Sequence, residues 1–206
     1  MKVVTIARDP AQKQGFTLCL DDGASIAVTQ GVLDEYFLYP GKEISEDDIA
    51  AMRQIAAQES ARKRAQAMLS RRPMSCRQLI ERLVAKGEER DTAKAAADWL
   101  VEIGRIDDAA YAALLAEDYA ARGYGKFRIE QEFWKRGIDK EYWEDALAQI
   151  PEDTTEIDRF VQRKLGGAHP DYDEEKRLSN ALYRRGFTWE EIRAAIRRYR
   201  DEMGEE

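Results

Sequence analysis

A chain of 206 residues allows one domain or two small ones, and 44% apolar with 35% charged residues describes a packed interior under a heavily solvated surface. Four tryptophans argue against disorder, while two cysteines without CxxC spacing, Cys19 and Cys76, and one histidine, His169, exclude a disulfide scaffold and the usual zinc sites. The net charge of −7 argues against a uniformly basic nucleic-acid coat, and no apolar run approaches the ~20 residues of a membrane span, so a cytoplasmic protein of a reducing compartment is expected.

The first 30 residues are β-rich. Lys2 to Ile6, Phe16 to Leu20 and Ala24 to Thr29 read as three short antiparallel strands, with Asp21-Asp22-Gly23 as a hairpin turn. A brief helix over about 31–38 is broken by Tyr39-Pro40-Gly41. Ser45, with Asp48 three residues on, resembles a capping box and opens a long helix to about Arg72.

From there the pattern is helical and repeats. Gly87, Gly137 and Gly186 each follow a basic residue, Lys86, Arg136 and Arg185. Eight residues before each glycine stand Leu79, Ile129 and Leu178, four before Leu83, Phe133 and Leu182, and three before Val84, Trp134 and Tyr183. That spacing predicts an amphipathic helix ending at the glycine. Nine residues after each glycine is an alanine, Ala96, Ala146 or Ala195, on a second amphipathic helix. With upstream helices at about 60–72, 108–122 and 155–165, each unit is a three-helix bundle. The fold class is therefore mainly α: three tandem three-helix repeats in an elongated curved body, preceded by a small antiparallel β segment. The expected divisions are 1–45, 46–107, 108–153 and 154–206. Glu88 follows the first glycine where Ile138 and Phe187 follow the others, so a looser joint is expected there.

No catalytic constellation is evident, so no enzyme, catalytic residue, metal or cofactor is expected. His169 reads as a loop residue. Asp107 and Asp108 read as an N-cap and a dipole partner rather than paired acids. Gly123-Tyr124-Gly125-Lys126 lacks the spacing of a phosphate loop and reads as a flexible joint, as does 166–173. Trp134 and Trp143 fall on apolar stations and are expected in the core, with Trp99 and Trp189 partly exposed.

Charge is distributed in blocks. Residues 62–90 carry +6, 122–140 +3 and 176–200 +6, separated by acidic stretches. Lys86, Arg136, Arg185, Arg197 and Arg198 lie near helix ends, where a cation complements the macrodipole by about 0.3–1 kcal/mol. The collective reading is a face for phosphates or an acidic protein surface, built from Arg71, Arg72, Arg77, Arg82, Lys126, Arg128, Lys135, Arg184 and Arg193.

These motifs resemble a known family. Gly104-Arg105-Ile106-Asp107-Asp108, Tyr111-Ala112, Gly125-Lys126-Phe127-Arg128-Ile129, Glu132-Phe133 and Lys135-Arg136-Gly137-Ile138 together look like the central signature of RecX proteins, bacterial regulators of the RecA recombinase. Arg71-Arg72 with Ser75, Leu79, Leu83 and Lys86-Gly87 resembles the family's first-repeat motif, and Arg184-Arg185-Gly186-Phe187 with Ile192 and Ile196 its last. The resemblance spans essentially the whole chain. It implies a monomeric, non-enzymatic modulator that lies on the RecA–single-stranded-DNA filament and inhibits its ATPase, strand exchange and co-protease activity in recombination and SOS repair. The nine cations would contact that filament, meeting single-stranded DNA through it. Two other readings stand beside this one: a RecA-independent DNA-binding protein of helix-turn-helix-like modules, and a helical scaffold for another protein.

Overall fold

A computed structural model describes residues 1–9, 15–151, 154–167 and 169–204. The β-rich opening forms a three-stranded antiparallel sheet, β1 (Val3–Arg8), β2 (Gly15–Leu20) and β3 (Ser25–Thr29), in that spatial order. Period-2 alternation puts Leu18, Leu20, Ile26 and Val28 on one face, where they join Val32 of α1 (Gln30–Glu35). The other wall is the start of α2 (Glu46–Leu69), whose Ile49 and Met52 enter the same core. Ser45 and Asp48 form the reciprocal capping box, and α2 ends three residues before Arg72, the expected limit.

The far half of α2 belongs to the first bundle. Ala61 and Ala65 are fully buried, and α2 packs on α4 (Arg90–Glu102), whose inner stations are Ala93, Ala96, Ala97 and Leu100. Small residues on both helices bring the axes close. Leu79 and Leu83 of α3 (Cys76–Ala85) are likewise fully buried. Residues 1–72 with 79–102 form one compact unit, and 73–78 with 103–206 form the other.

The second unit holds two further bundles. α5 (Asp108–Ala121), α6 (Lys126–Lys135) and α7 (Trp143–Ala148) enclose Tyr111, Leu115, Ile129, Phe133 and Ala146. The helix expected after Gly137 is divided, a 3₁₀ turn over Lys140–Tyr142 preceding the short α7. α8 (Thr155–Leu165), α9 (Tyr172–Arg184) and α10 (Trp189–Gly204) enclose Ile157, Phe160, Leu178, Leu182, Ile192 and Tyr199.

Helices α3, α6 and α9 end alike. The amide two positions past the cap returns to the helix, Glu88 to Leu83 O at 3.1 Å, Ile138 to Phe133 O at 3.0 Å and Phe187 to Leu182 O at 3.3 Å. Closing this bond needs a left-handed residue in between, hence Gly87, Gly137 and Gly186 at φ +93°, +64° and +90°. Glu88 is not a loose joint: its carboxylate pairs with Arg64 of α2 at 2.7 Å.

Two of these glycine caps also dock onto the first turn of the helix one repeat earlier. Gly125 N–H donates to Arg185 O at 2.9 Å and Phe127 N–H to Gly186 O at 3.2 Å. Arg185 then turns back, donating to Gly123 O at 3.0 Å and stacking on Tyr124 and Phe160, with ring centroids at 5.3 and 4.5 Å. Residues 123–125 are therefore buried or half-buried and hydrogen-bonded, correcting the flexible joint expected there. The analogous contact one repeat earlier joins the Ser75 hydroxyl to Arg136 O, while Gly137 lies against the Arg77 side chain.

Alanine substitution should separate the glycine's two duties. A methyl group on Gly87 meets open space, so Gly87→Ala should cost only the left-handed strain, about 1–2 kcal/mol. On Gly137 it would lie 2.8 Å from the flexible Arg77 Cδ, and on Gly186 within 3.0 Å of the Arg128 backbone. Gly186→Ala should cost about 1–3 kcal/mol more than Gly87→Ala, with Gly137→Ala between them, as read by urea denaturation.

Candidate functional site

The nine candidate cations divide between the two units. Arg71, Arg72 and Arg82 lie on the first, and Arg77, Lys126, Arg128, Lys135, Arg184 and Arg193 on the second. All are exposed except Arg128, which is half-buried. Arg71 borders an open hollow of about 550 Å³ whose wall includes Arg64, Met68 and Lys86. Arg77 lays its aliphatic stem over Gly137, and the Arg128 backbone abuts Gly186, so both stand where successive repeats meet.

The second basic block contains an acid that helix periodicity alone does not explain. Glu132 is buried, yet it lies within 3.2 Å of Arg128, 3.0 Å of Lys135 and 3.8 Å of Arg136 Nε. Burial alone would raise its pKa. The Lys135 ammonium, the Tyr119 hydroxyl and Arg128 outweigh it and hold the carboxyl below its ordinary value. Two of the nine cations are thus tied to one carboxylate. By contrast Arg71, Arg72, Arg82, Lys126, Arg184 and Arg193 make no ion pair among the described residues.

Several side chains read as helix-end cations are clamps. Besides Arg185, Arg136 donates to the Tyr111 hydroxyl at 2.8 Å, and Arg198 binds Asp158 of α8 bidentately through Nε and Nη2. Of the acidic pair before α5, Asp107 is the N-cap, accepting from Ala110 N–H at 2.8 Å. Asp108 instead reaches α3, accepting from Cys76 N–H at 2.9 Å. Burial pushes the Asp108 carboxyl above the ordinary range, against the pull of that amide, with Asp139 and Asp107 adding to the rise.

The aromatic assignments need correcting. Trp134 is not core but 70% exposed, and Tyr183 at the equivalent station is exposed too. The buried stripe of α6 runs through Ile129, Glu132 and Phe133, leaning toward the Arg136 side and turning the station three before the glycine outward. Trp143 is half-buried, packs at a tilt against Phe133 with ring centroids 5.7 Å apart and donates to Ile138 O. Tyr183 stacks on exposed Trp189 at 5.1 Å, with Arg184 beside it in sequence and Arg193 one turn along α10. Phe127 and Trp134, seven residues apart on α6, are exposed together, with Lys126 and Lys135 their chain neighbours. Sequence spacing concealed these platforms because the same stations suit a core helix. Trp99 is half-buried beneath Arg62, 5.0 Å from its ring, and His169 is exposed.

Among the described residues no helix is long and apolar enough to cross a membrane, and no group of three His, Cys, Asp or Glu side chains could hold a metal.

Comparison with known proteins matches residues 107–147 to the second three-helix domain of RecX and 152–196 to the third. The regulatory protein RecX of Xanthomonas axonopodis pv. citri (strain 306) is 38% identical over 136 residues, 65% of this chain and 84% of that protein. That of Stenotrophomonas maltophilia (strain R551-3) is 35% identical over 136 residues, with 65% and 83% covered. A crystal structure of regulatory protein RecX superposes with TM-score 0.76 at 22% identity, covering 95% of this chain and 98% of that one. RecX from Lactobacillus salivarius does so with TM-score 0.61 at 19% identity, covering 70% and 97%.

The Glu132 cluster makes a pH-dependent prediction. A carboxyl held below its ordinary 4.5 contributes stability that is complete above the unfolded-state value and lost as pH falls through the native one. Glu132→Gln should therefore destabilise by about 1–2 kcal/mol at neutral pH. The gap from wild type should narrow as pH falls below the unfolded-state value and close once pH has passed through the lower native one, as followed by thermal melts across pH.

Proposed function

We propose that this chain, which belongs to the RecX family of regulatory proteins, restrains RecA by lying along the RecA–single-stranded-DNA filament and holding it through the basic stations of its repeats. The family regulates RecA and is not enzymatic, so whatever this chain does it does by binding. The observation that carries the reading is the set of six exposed cations that make no ion pair among the described residues, at least one in each repeat, with Arg82, Lys126 and Arg184 on helices whose ends are locked by glycine caps. Each exposed ion pair is worth at most about 1 kcal/mol. Several on one body act together, because the first contact raises the effective concentration of the rest.

On this reading the divisions 46–107, 108–153 and 154–206 are three footholds of a monomer. Arg71, Arg72, Arg77 and Arg82 serve the first, Lys126, Arg128 and Lys135 the second, and Arg184 and Arg193 the third. Arg128 and Lys135 contribute less than the unpaired six, being shared with Glu132. DNA phosphate is met through the filament, since a net charge of −7 disfavours bare DNA. The exposed Trp134 and the Tyr183–Trp189 stack add flat apolar surface beside the cations, where unpaired bases or aliphatic side chains can rest. The outcome for RecA is slower ATP turnover, strand exchange and co-protease action.

The test is titration against preformed RecA–single-stranded-DNA filaments, reading ATP turnover and filament length together. Wild-type chain should suppress both. The triple reversal Arg71→Glu, Lys126→Glu, Arg184→Glu should retain helicity and raise the half-inhibitory concentration by about two orders of magnitude. Unchanged inhibition by the triple variant would reject the basic stations, and no inhibition by wild type would reject the reading itself.

A further inference from the structure

Among the described residues five helices share one C-terminal hydrogen-bond pattern, and one of them breaks its residue rule. After α3, α5, α6 and α9 the left-handed position is Gly87, Gly123, Gly137 and Gly186. After α1 the same two bonds close, Phe37 N–H to Asp34 O at 3.3 Å and Leu38 N–H to Leu33 O at 2.9 Å. The left-handed residue there is Phe37, at φ +47°, the one non-glycine residue with positive φ among those described. A phenylalanine is disfavoured at such a position, where Cβ crowds the following carbonyl oxygen.

Packing among the described residues does not explain it. Tyr36 and Leu38 turn into the sheet core, whereas Phe37 is 78% exposed and Tyr39 60%. The two outward rings stand on a fixed base. Lys42 ties the loop down, its backbone N–H donating to Tyr39 O at 3.1 Å and its ammonium to Tyr36 O. Backbone preference and burial both argue against an aromatic residue at 37, so the ring serves a contact outside the chain, and rings already held in place lose little freedom on docking.

Charge selects the kind of partner. Asp34 and Glu35, both exposed, form the last turn of α1 beside the rings, and residues 1–61 carry 10 acidic against 5 basic side chains. That repels nucleic acid and anionic lipid. It suits a protein pocket with an apolar floor and a basic rim. We propose that Phe37 and Tyr39 seat in such a pocket on the RecA protein itself, a foothold separate from the basic stations; this rests on the RecA reading above.

Phe37→Gly tests it with little risk to the fold, because glycine is the residue this backbone prefers. The variant should unfold at the same or a higher temperature than wild type. It should also need about tenfold more protein to suppress ATP turnover by RecA–single-stranded-DNA filaments. Phe37→Tyr, which keeps a ring, should behave as wild type. Equal inhibition by Phe37→Gly and wild type would overturn this inference and leave the basic stations standing, whereas a wild-type chain without effect on RecA would overturn both. Matching loss of affinity for bare single-stranded DNA at low salt would make the partner nucleic acid and overturn the assignment to protein. A lowered unfolding temperature would overturn the premise that the ring does not serve folding.

Discussion

The carbonyls of Arg185 and Gly186 lying on the first amides of α6 are the contact on which the second unit depends. Every helix leaves unpaired N–H groups at its start and unpaired C=O groups at its end. Setting the end of α9 against the start of α6 satisfies some of both and brings opposite ends of two helix dipoles together. The approach is too close for side chains, so glycine stands on both sides, at 125 and 186. Ser75 and Gly137 solve the same problem one repeat earlier with a hydroxyl donor and a looser fit.

That contact also sorts the basic residues. The cation immediately before the glycine is spent on structure in two repeats, Arg136 on the Tyr111 hydroxyl and Arg185 on carbonyls and aromatic faces. The cation one position earlier, Lys135 or Arg184, points outward. Consecutive basic residues thus have different duties, and only those the junction does not consume stand free to serve the proposed contact. On the proposed reading, contacts carried on one well-ordered unit reinforce each other, because ordering a mobile segment on binding would cost in entropy what added contacts gain.

Much of this was legible in the chain. Stations eight and four before each glycine are buried in all three repeats, and the alanine nine after is buried each time, because a helix packed against two others has little choice at its inner stripe. The sheet and its hairpin turn followed from alternation and Asp21-Asp22-Gly23. The exposure of Trp134 is not legible in the same way, because large apolar residues usually mark a core and spacing does not say which edge of a broad stripe turns outward. Arg185 and Gly125 were opaque for another reason. Their role depends on a partner some 60 residues away in sequence, whereas caps and dipoles are local. The strain at Phe37 is equally invisible until a backbone angle is known.

The glycine caps at 137 and 186 are docking surfaces between repeats and not merely helix ends. Native-state hydrogen exchange of the Gly125 and Phe127 amides tests it most directly, since both lie at a helix start where an unpartnered N–H exchanges freely. Protection approaching that of the α6 interior is the predicted result. Exchange as fast as at a frayed terminus would contradict it.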